Sequence, residues 1–79
     1  MQDKEEIYSI MAEAEHKTVH VVTTDGETYT GYIDVFESRS DNQEDEEPFK
    51  GCGSIILVTG DNSGVCLFEY DITAIEAIE

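Results

Sequence analysis

The chain has 79 residues and carries 19 Asp and Glu against 4 Lys and Arg, so its formal net charge is −15 at pH 7. This length fits a single domain, and no apolar stretch approaches the ~20 residues of a membrane span. So few cations argue against a nucleic-acid binder, because Lys and Arg contacts supply much of the affinity for phosphate. The N-terminal segment lacks the apolar block of a signal peptide, and two cysteines make no disulfide framework, so we expect a cytoplasmic protein.

Residues 1–17 are predicted to form an N-terminal helix. Asp3 followed by Glu6 is typical of a capping box at a helix start. Four apolar residues then recur at helical spacing and share one stripe: Ile7, Ile10, Met11 and Ala14. His16 and Lys17 lie near the negative end of the helix dipole, where cations are favoured. We favour a helix that covers one mouth of a sheet over a helix that detaches to bind a partner.

A strand is predicted from residue 18 through Thr24, because the apolar period there changes from 3.6 to 2. The Asp25-Gly26 pair predicts a two-residue hairpin turn, since such turns require positive φ angles. The partner strand follows from Glu27 to Phe36. Gly31 within it predicts a sharp bend, of the kind found at a barrel corner.

Three further strands are predicted in the C-terminal half. Ser54–Thr59 is apolar almost throughout, so both of its faces are expected to be covered. Asp61–Gly64 is a strong turn signal, and Val65–Tyr70 and Ile72–Ile78 form the fourth and fifth strands. The fifth strand alternates, with Ile75 on one face and four residues on the other: Ile72, Ala74, Glu76 and Ile78.

Residues 38–53 are predicted to form an acidic, solvated loop, in which Phe49 packs back onto the sheet. Its carboxylates could bind a hard cation loosely, but Glu46 takes the position where an EF-hand beginning at Asp41 needs glycine. A plain solvated loop is the expectation, with no metal and no cofactor.

The histidines, the cysteines and the catalytic motifs give no indication of an enzyme. His16 and His20 are four residues apart, but the change to strand period falls between them, so they are not expected to share a metal. Cys52 and Cys66 lack a CxxC partner and are expected to be idle thiols. No catalytic triad, phosphate-binding glycine loop or Walker motif is present in the sequence.

One helix followed by five strands, with an Asp-Gly turn and a glycine-bent second strand, resembles the Sm and Sm-like family. The stretch from Val19 to Glu37 is similar to the first family motif, and Gly64 to Ile78 is similar to the second. The resemblance implies a mainly β fold: an N-terminal α-helix and a five-stranded, strongly bent antiparallel small barrel over residues 18–79. We expect the strands to close into a cylinder.

The match fails at the residues that bind RNA in this family. Glu37 takes the acid position, Asp41 falls where asparagine is expected, and Glu69-Tyr70 stands where arginine-glycine is expected. A carboxylate in place of the cation reverses the attraction for phosphate, so direct nucleic-acid binding is not expected.

The resemblance does imply assembly, because family members form rings by pairing the fourth strand of one subunit with the fifth strand of the next. These two strands carry few charges and lack the Lys or Pro that protects exposed edges. The net charge opposes association, yet we favour a homo-oligomer. The candidate edge residues are Val65, Leu67, Phe68, Tyr70, Ile72, Ile75 and Ile78.

The sequence therefore favours a non-enzymatic Sm-like interaction module that self-associates and binds a protein partner, of the type found among bacterial or phage accessory proteins. The alternative is an acidic nucleic-acid mimic that inhibits a basic DNA- or RNA-handling protein. An RNA-binding chaperone is disfavoured by the missing cations. The acidic residues that would contact a basic partner are Glu37, Asp41, Glu44, Asp45, Glu46 and Glu47.

Overall fold

The computed structural model describes residues 2–43 and 51–78. One helix and five strands follow in chain order: α1 (Lys4–Glu13), β1 (Thr18–Thr23), β2 (Thr28–Glu37), β3 (Ser54–Thr59), β4 (Gly64–Phe68) and β5 (Ile72–Ala77). All strand pairs are antiparallel and belong to one sheet. The predicted mainly β class, with one N-terminal helix and a five-stranded antiparallel sheet, is confirmed. In the described part of the chain no helix is long and apolar enough to cross a membrane.

The helix begins at Asp3, whose side chain accepts a hydrogen bond of 2.8 Å from the Glu6 backbone N–H. In a full capping box the Glu6 carboxylate would accept from the Asp3 backbone N–H. Here it accepts from Gln2 Nε2, at 3.2 Å. Three residues of the predicted stripe are buried and the fourth is half-buried: Ile7, Met11 and Ala14, then Ile10. The helix ends at Ala14, and His16 adopts a left-handed φ of 67° that turns the chain into β1.

The sheet has the strand order β4-β3-β2-β1-β5 and is curved. Only Glu69–Asp71, a 3₁₀ turn, separates Phe68 from Ile72. Four residue steps reach at most ~14 Å, whereas a flat sheet would hold its two outer strands ~19 Å apart. The sheet must therefore bend until its two ends approach each other.

The expected closed cylinder is wrong, because no ladder joins β4 to β5 within residues 2–43 and 51–78. Beyond β4 the chain enters a turn, in which Asp71 Oδ2 accepts from the Phe68 N–H at 3.3 Å. The Asp71 carbonyl then accepts from Thr24 N at 2.9 Å, which directs β5 to the far side of β1. The sheet consequently keeps two outer edges.

The β1–β2 turn differs from the predicted two-residue hairpin. Thr23 N donates to Glu27 O at 2.9 Å, and Gly26 N donates to Thr23 O at 3.0 Å, which together enclose a three-residue loop. Gly26 has a φ of 83°, but Asp25 is not left-handed. This pattern fits a type I turn followed by one left-handed residue, here Gly26, so only one positive φ is required. The β3–β4 loop has the same hydrogen-bond pattern, and Asn62 supplies its positive φ of 65°.

Gly31 is needed because the backbones of β2 and β3 approach closely. A Cβ atom at this position would contact the carbonyl oxygen of Val58 and the side chain of Leu57. Close approach of the two backbones, rather than a left-handed φ, is therefore the structural reason for glycine at this position.

A register shift in the β1–β5 ladder overturns the predicted alternation of the fifth strand. Val22 pairs with Ala74, but Thr23 pairs with Ile72 rather than with the next residue along. The extra residue of β5 at this point, Thr73, places the side chains on either side of it out of the regular alternation between faces. Ile72 and Ile75 are consequently both buried, at 4% and 2% exposed, although the sequence placed them on opposite faces.

The core lies between α1 and the concave side of the sheet. Its buried apolar residues are Ile7, Met11, Ala14, Val19, Val21, Ile33, Ile55, Leu57, Leu67, Ile72 and Ile75. The other face of β3 is only half-buried at Ile56 and Val58, so the expectation that both faces are covered is wrong.

We expect Gly31→Ala to lower the free energy of unfolding by about 2 kcal/mol, because the added methyl group would collide with the Val58 carbonyl. Gly60→Ala is the matched control, since no atom of the described residues lies within 4 Å of a Cβ there. Urea denaturation followed by circular dichroism measures both. Equal stabilities of the two variants would contradict this account of Gly31.

Candidate functional site

Three segments meet at one end of the sheet: the start of α1, the β2–β3 connection and the β4–β5 turn. They bring together five residues, which we call the Arg39 cluster: Glu5, Tyr8, Arg39, Gly53 and Glu69. Glu69 follows the apolar strand β4, and Arg39 begins the 3₁₀ turn Arg39–Asn42 that follows β2.

Glu69 is a buried carboxylate, only 4% exposed, and its oxygens are bound on two sides. The guanidinium of Arg39 donates from Nη2 to Oε1 at 2.9 Å and from Nε to Oε2 at 3.1 Å. The backbone N–H of Gly53 donates to Oε2 at 2.7 Å. A buried charge is tolerated when it is paired and hydrogen-bonded, and both conditions hold here.

The outer side of the guanidinium binds Glu5, with Nη2 to Oε2 at 2.9 Å and Nη1 to Oε1 at 3.3 Å. The Tyr8 ring lies 4.2 Å from the guanidinium carbon, and Tyr8 Oη accepts from the Arg39 backbone N–H at 3.1 Å. Hydrogen bonds to Glu69 and, to a smaller extent, to Glu5 raise the pKa of Arg39 above its usual value. Arg39 is therefore a fixed cation whose charge is offset by two carboxylates.

Asn42 extends this arrangement toward β3 and is itself buried, at 6% exposed. Its Nδ2 donates to the Cys52 carbonyl at 2.8 Å and to Ser54 Oγ at 3.2 Å. Ser54 Oγ in turn donates to Glu37 Oε1 at 3.2 Å. The two ends of the β2–β3 connection are thus tied together by side-chain hydrogen bonds.

The structure describes two of the six predicted acidic contact residues. Glu37 and Asp41 are exposed, and both accept hydrogen bonds within the chain, Glu37 from Ser54 and Asp41 from the Ser38 N–H at 3.0 Å. The other four, together with Phe49, lie outside the described residues: Glu44, Asp45, Glu46 and Glu47.

The predicted edge residues divide into three groups by exposure. Leu67, Ile72 and Ile75 are core residues, so their side chains do not form an outer contact surface. Val65 and Phe68 are half-buried. Tyr70 and Ile78 are 44% and 50% exposed. Tyr70 lies in the 3₁₀ turn rather than in the predicted fourth strand, and Ile78 follows β5.

The two histidines contact different residues of β2. His16 Nδ1 lies 3.2 Å from Tyr32 Oη, whereas His20 Nδ1 lies 2.9 Å from Thr30 Oγ1 on β2. Across residues 2–43 and 51–78, no group of three His, Cys, Asp or Glu side chains is arranged to hold a metal ion.

The sequence did not predict the Arg39 cluster, because no local pattern links its members. Arg39 and Glu69 are thirty residues apart. The available signal was Glu69 itself, a single acid directly after the apolar stretch of β4, where a buried carboxylate would need a cation.

No protein-family model and no curated protein matches this chain.

We expect Glu69→Gln to lower the free energy of unfolding by about 3 kcal/mol, because it removes the buried partner of a partly buried guanidinium. Glu5→Gln makes the same chemical change on the opposite side of Arg39, where the carboxylate is 78% exposed. Its expected loss is about 0.5 kcal/mol, typical of an exposed pair. Urea denaturation of both variants tests the difference, and equal losses would show that Glu69 is not the dominant partner.

Proposed function

We propose that this chain is a non-enzymatic, Sm-like interaction module that self-associates by pairing β4 of one subunit with β5 of the next. One observation carries the proposal: β4 and β5 occupy the two ends of a curved antiparallel sheet, and no described strand pairs with the outer edge of either. Such edges are templates for pairing with another chain. A contact between two different edges is heterologous, and it gives a ring when the rotation between subunits closes.

The charges on these strands favour the pairing. β4 carries no charged residue, and β5 carries only the exposed Glu76. Glu69 lies next to β4, but Arg39 compensates its charge. The exposed Tyr70 and Ile78 add apolar surface beside the two edges. The opposing force is the general repulsion between subunits of net charge −15, which salt screens.

The Sm-like part of the proposal rests on topology and on the two connections. A helix precedes a curved five-stranded sheet, and Gly31 allows the close contact between β2 and β3. The β2–β3 connection and the β4–β5 turn meet, as the two halves of the family's nucleotide pocket do. In this chain Glu69 stands at the position of the expected cation, and Arg39 is held by two carboxylates.

The acidic nucleic-acid mimic is the second candidate. It is favoured by the internal pairing of Arg39 and by the position of Lys4, whose Nζ lies 5.2 Å from the Tyr70 ring centre. Both cations lie against the chain's own side chains, and the net charge of −15 gives a negative field at longer range that attracts a basic protein partner. A chain that stays monomeric at every concentration and salt level would make the mimic the better account.

We expect Ala77→Pro to weaken self-association at least tenfold. Ala77 faces Val19, and its neighbour Ile78 donates to Thr18 O, so the Ala77 N–H points away from β1. Proline removes this outer donor and leaves the β1–β5 ladder intact. Ala77→Thr keeps the donor and is the control. Sedimentation velocity over a range of protein and salt concentrations gives the association constants.

In that experiment the wild type and Ala77→Thr should associate more strongly as salt rises. Equal association of Ala77→Pro and Ala77→Thr would contradict pairing at the β5 edge. Circular dichroism melting verifies that the proline variant is folded before the comparison is made.

We expect the chain not to bind single-stranded oligo-U or oligo-A, because the Arg39 guanidinium, which lies between the β2–β3 connection and the β4–β5 turn, is already bound by Glu5 and Glu69. Fluorescence anisotropy of labelled oligonucleotides at about 150 mM salt measures this directly. Micromolar binding that falls with added salt would contradict the proposal and favour an RNA-binding chaperone.

A further inference from the structure

The outer edge of β5 carries a regular set of backbone groups. Ile78 N donates to Thr18 O at 3.0 Å, so the backbone of Ile78 faces β1. Successive residues of an antiparallel strand face opposite sides, and the register is regular from Ala74 to Ala77. The N–H groups of Ile75 and Ala77 therefore point outward, where an incoming strand would bind.

One of these two donors is already occupied by a side chain of the same subunit. Gln2 Oε1 accepts from the Ile75 N–H at 2.6 Å. The other end of the same amide, Nε2, donates to Glu6 Oε2 at 3.2 Å. A backbone N–H can only donate, which requires the amide oxygen to face Ile75 and leaves the NH₂ group for the carboxylate.

The position of Gln2 is fixed by the helix that follows it. Asp3 caps α1, and α1 is anchored to the core by Ile7 and Met11, which are 1% and 0% exposed. The helix also packs against β5. Gln2 is therefore held beside the edge, while its own side chain is half-buried and can rotate away without disturbing the helix.

We infer that Gln2 closes the outer edge of β5 in the single subunit and competes there with β4 of a second copy of this chain. This inference rests on the proposed function. The Ile75 N–H is one donor, so it cannot serve Gln2 and an incoming strand together. Gln2 must leave Ile75 before a full ladder can form, and its hydrogen bond weakens association by the amount that this bond stabilises the single subunit.

The first test is the association constant of Gln2→Ala. Loss of the competing bond should lower the dissociation constant about fivefold, which corresponds to roughly 1 kcal/mol, the usual net contribution of one hydrogen bond. Gln43→Ala is the matched control: it removes an exposed glutamine whose Nε2 donates to Arg39 O at 3.4 Å, in the β2–β3 connection. Sedimentation velocity on both variants and on the wild type gives the comparison.

The second test is hydrogen exchange at a concentration where both the wild type and Gln2→Ala are single subunits. The Ile75 amide should exchange about tenfold faster in Gln2→Ala than in the wild type, whereas the Ala77 amide should not change. This measurement reports the contact between Gln2 and Ile75 whether or not subunits associate.

The outcomes separate the two proposals. Association that Ala77→Pro abolishes but Gln2→Ala leaves unchanged would overturn the competition and keep edge pairing. Unchanged Ile75 exchange in Gln2→Ala would overturn the contact itself. A strictly monomeric chain in every variant would overturn the proposed function, and the competition with it.

Discussion

The buried carboxylate of Glu69 is the constraint on which this end of the molecule depends. A charge that is 4% exposed must be neutralised and hydrogen-bonded, and Arg39 and the Gly53 N–H satisfy both requirements. The pair joins the β4–β5 turn to the β2–β3 connection, and Glu5 joins both to α1. Because Glu69 begins the short turn between β4 and β5, the same pair fixes this turn against the β2–β3 connection.

This arrangement also decides what the surface can attract. The chain has four basic residues, and the structure places Arg39 between two carboxylates and Lys4 near the Tyr70 ring. A guanidinium at the junction of two loops would ordinarily suit a phosphate, but here its donors are used within the chain. The net charge of −15 makes the electrostatic field around the chain negative. Backbone hydrogen bonds at the sheet edges, on which the proposed self-association depends, are the contacts least sensitive to this charge.

The proposed edge pairing depends on a balance between attraction and repulsion. Backbone donors and a nearly uncharged pair of strands favour addition of a second chain, whereas the charge of −15 on each subunit opposes it. In the proposed competition, Gln2 acts at a single donor, the Ile75 N–H, which it already binds in the single subunit. In the proposed assembly, a weak restraint of this kind would keep the single subunit from aggregating and still allow a partner strand to bind.

The sequence by itself determined the elements: the helical stripe that begins at Ile7 and the five strands with a chain reversal at Gly26. These follow from local periodicity and from backbone conformations that few residues tolerate. Only the tertiary structure decided that the sheet stays open, that a register shift turns Ile72 inward beside Ile75, and which charges meet. The reason is physical, since a one-residue shift, or the pairing of two charges thirty residues apart, depends on how distant segments pack and leaves no periodic trace along the chain.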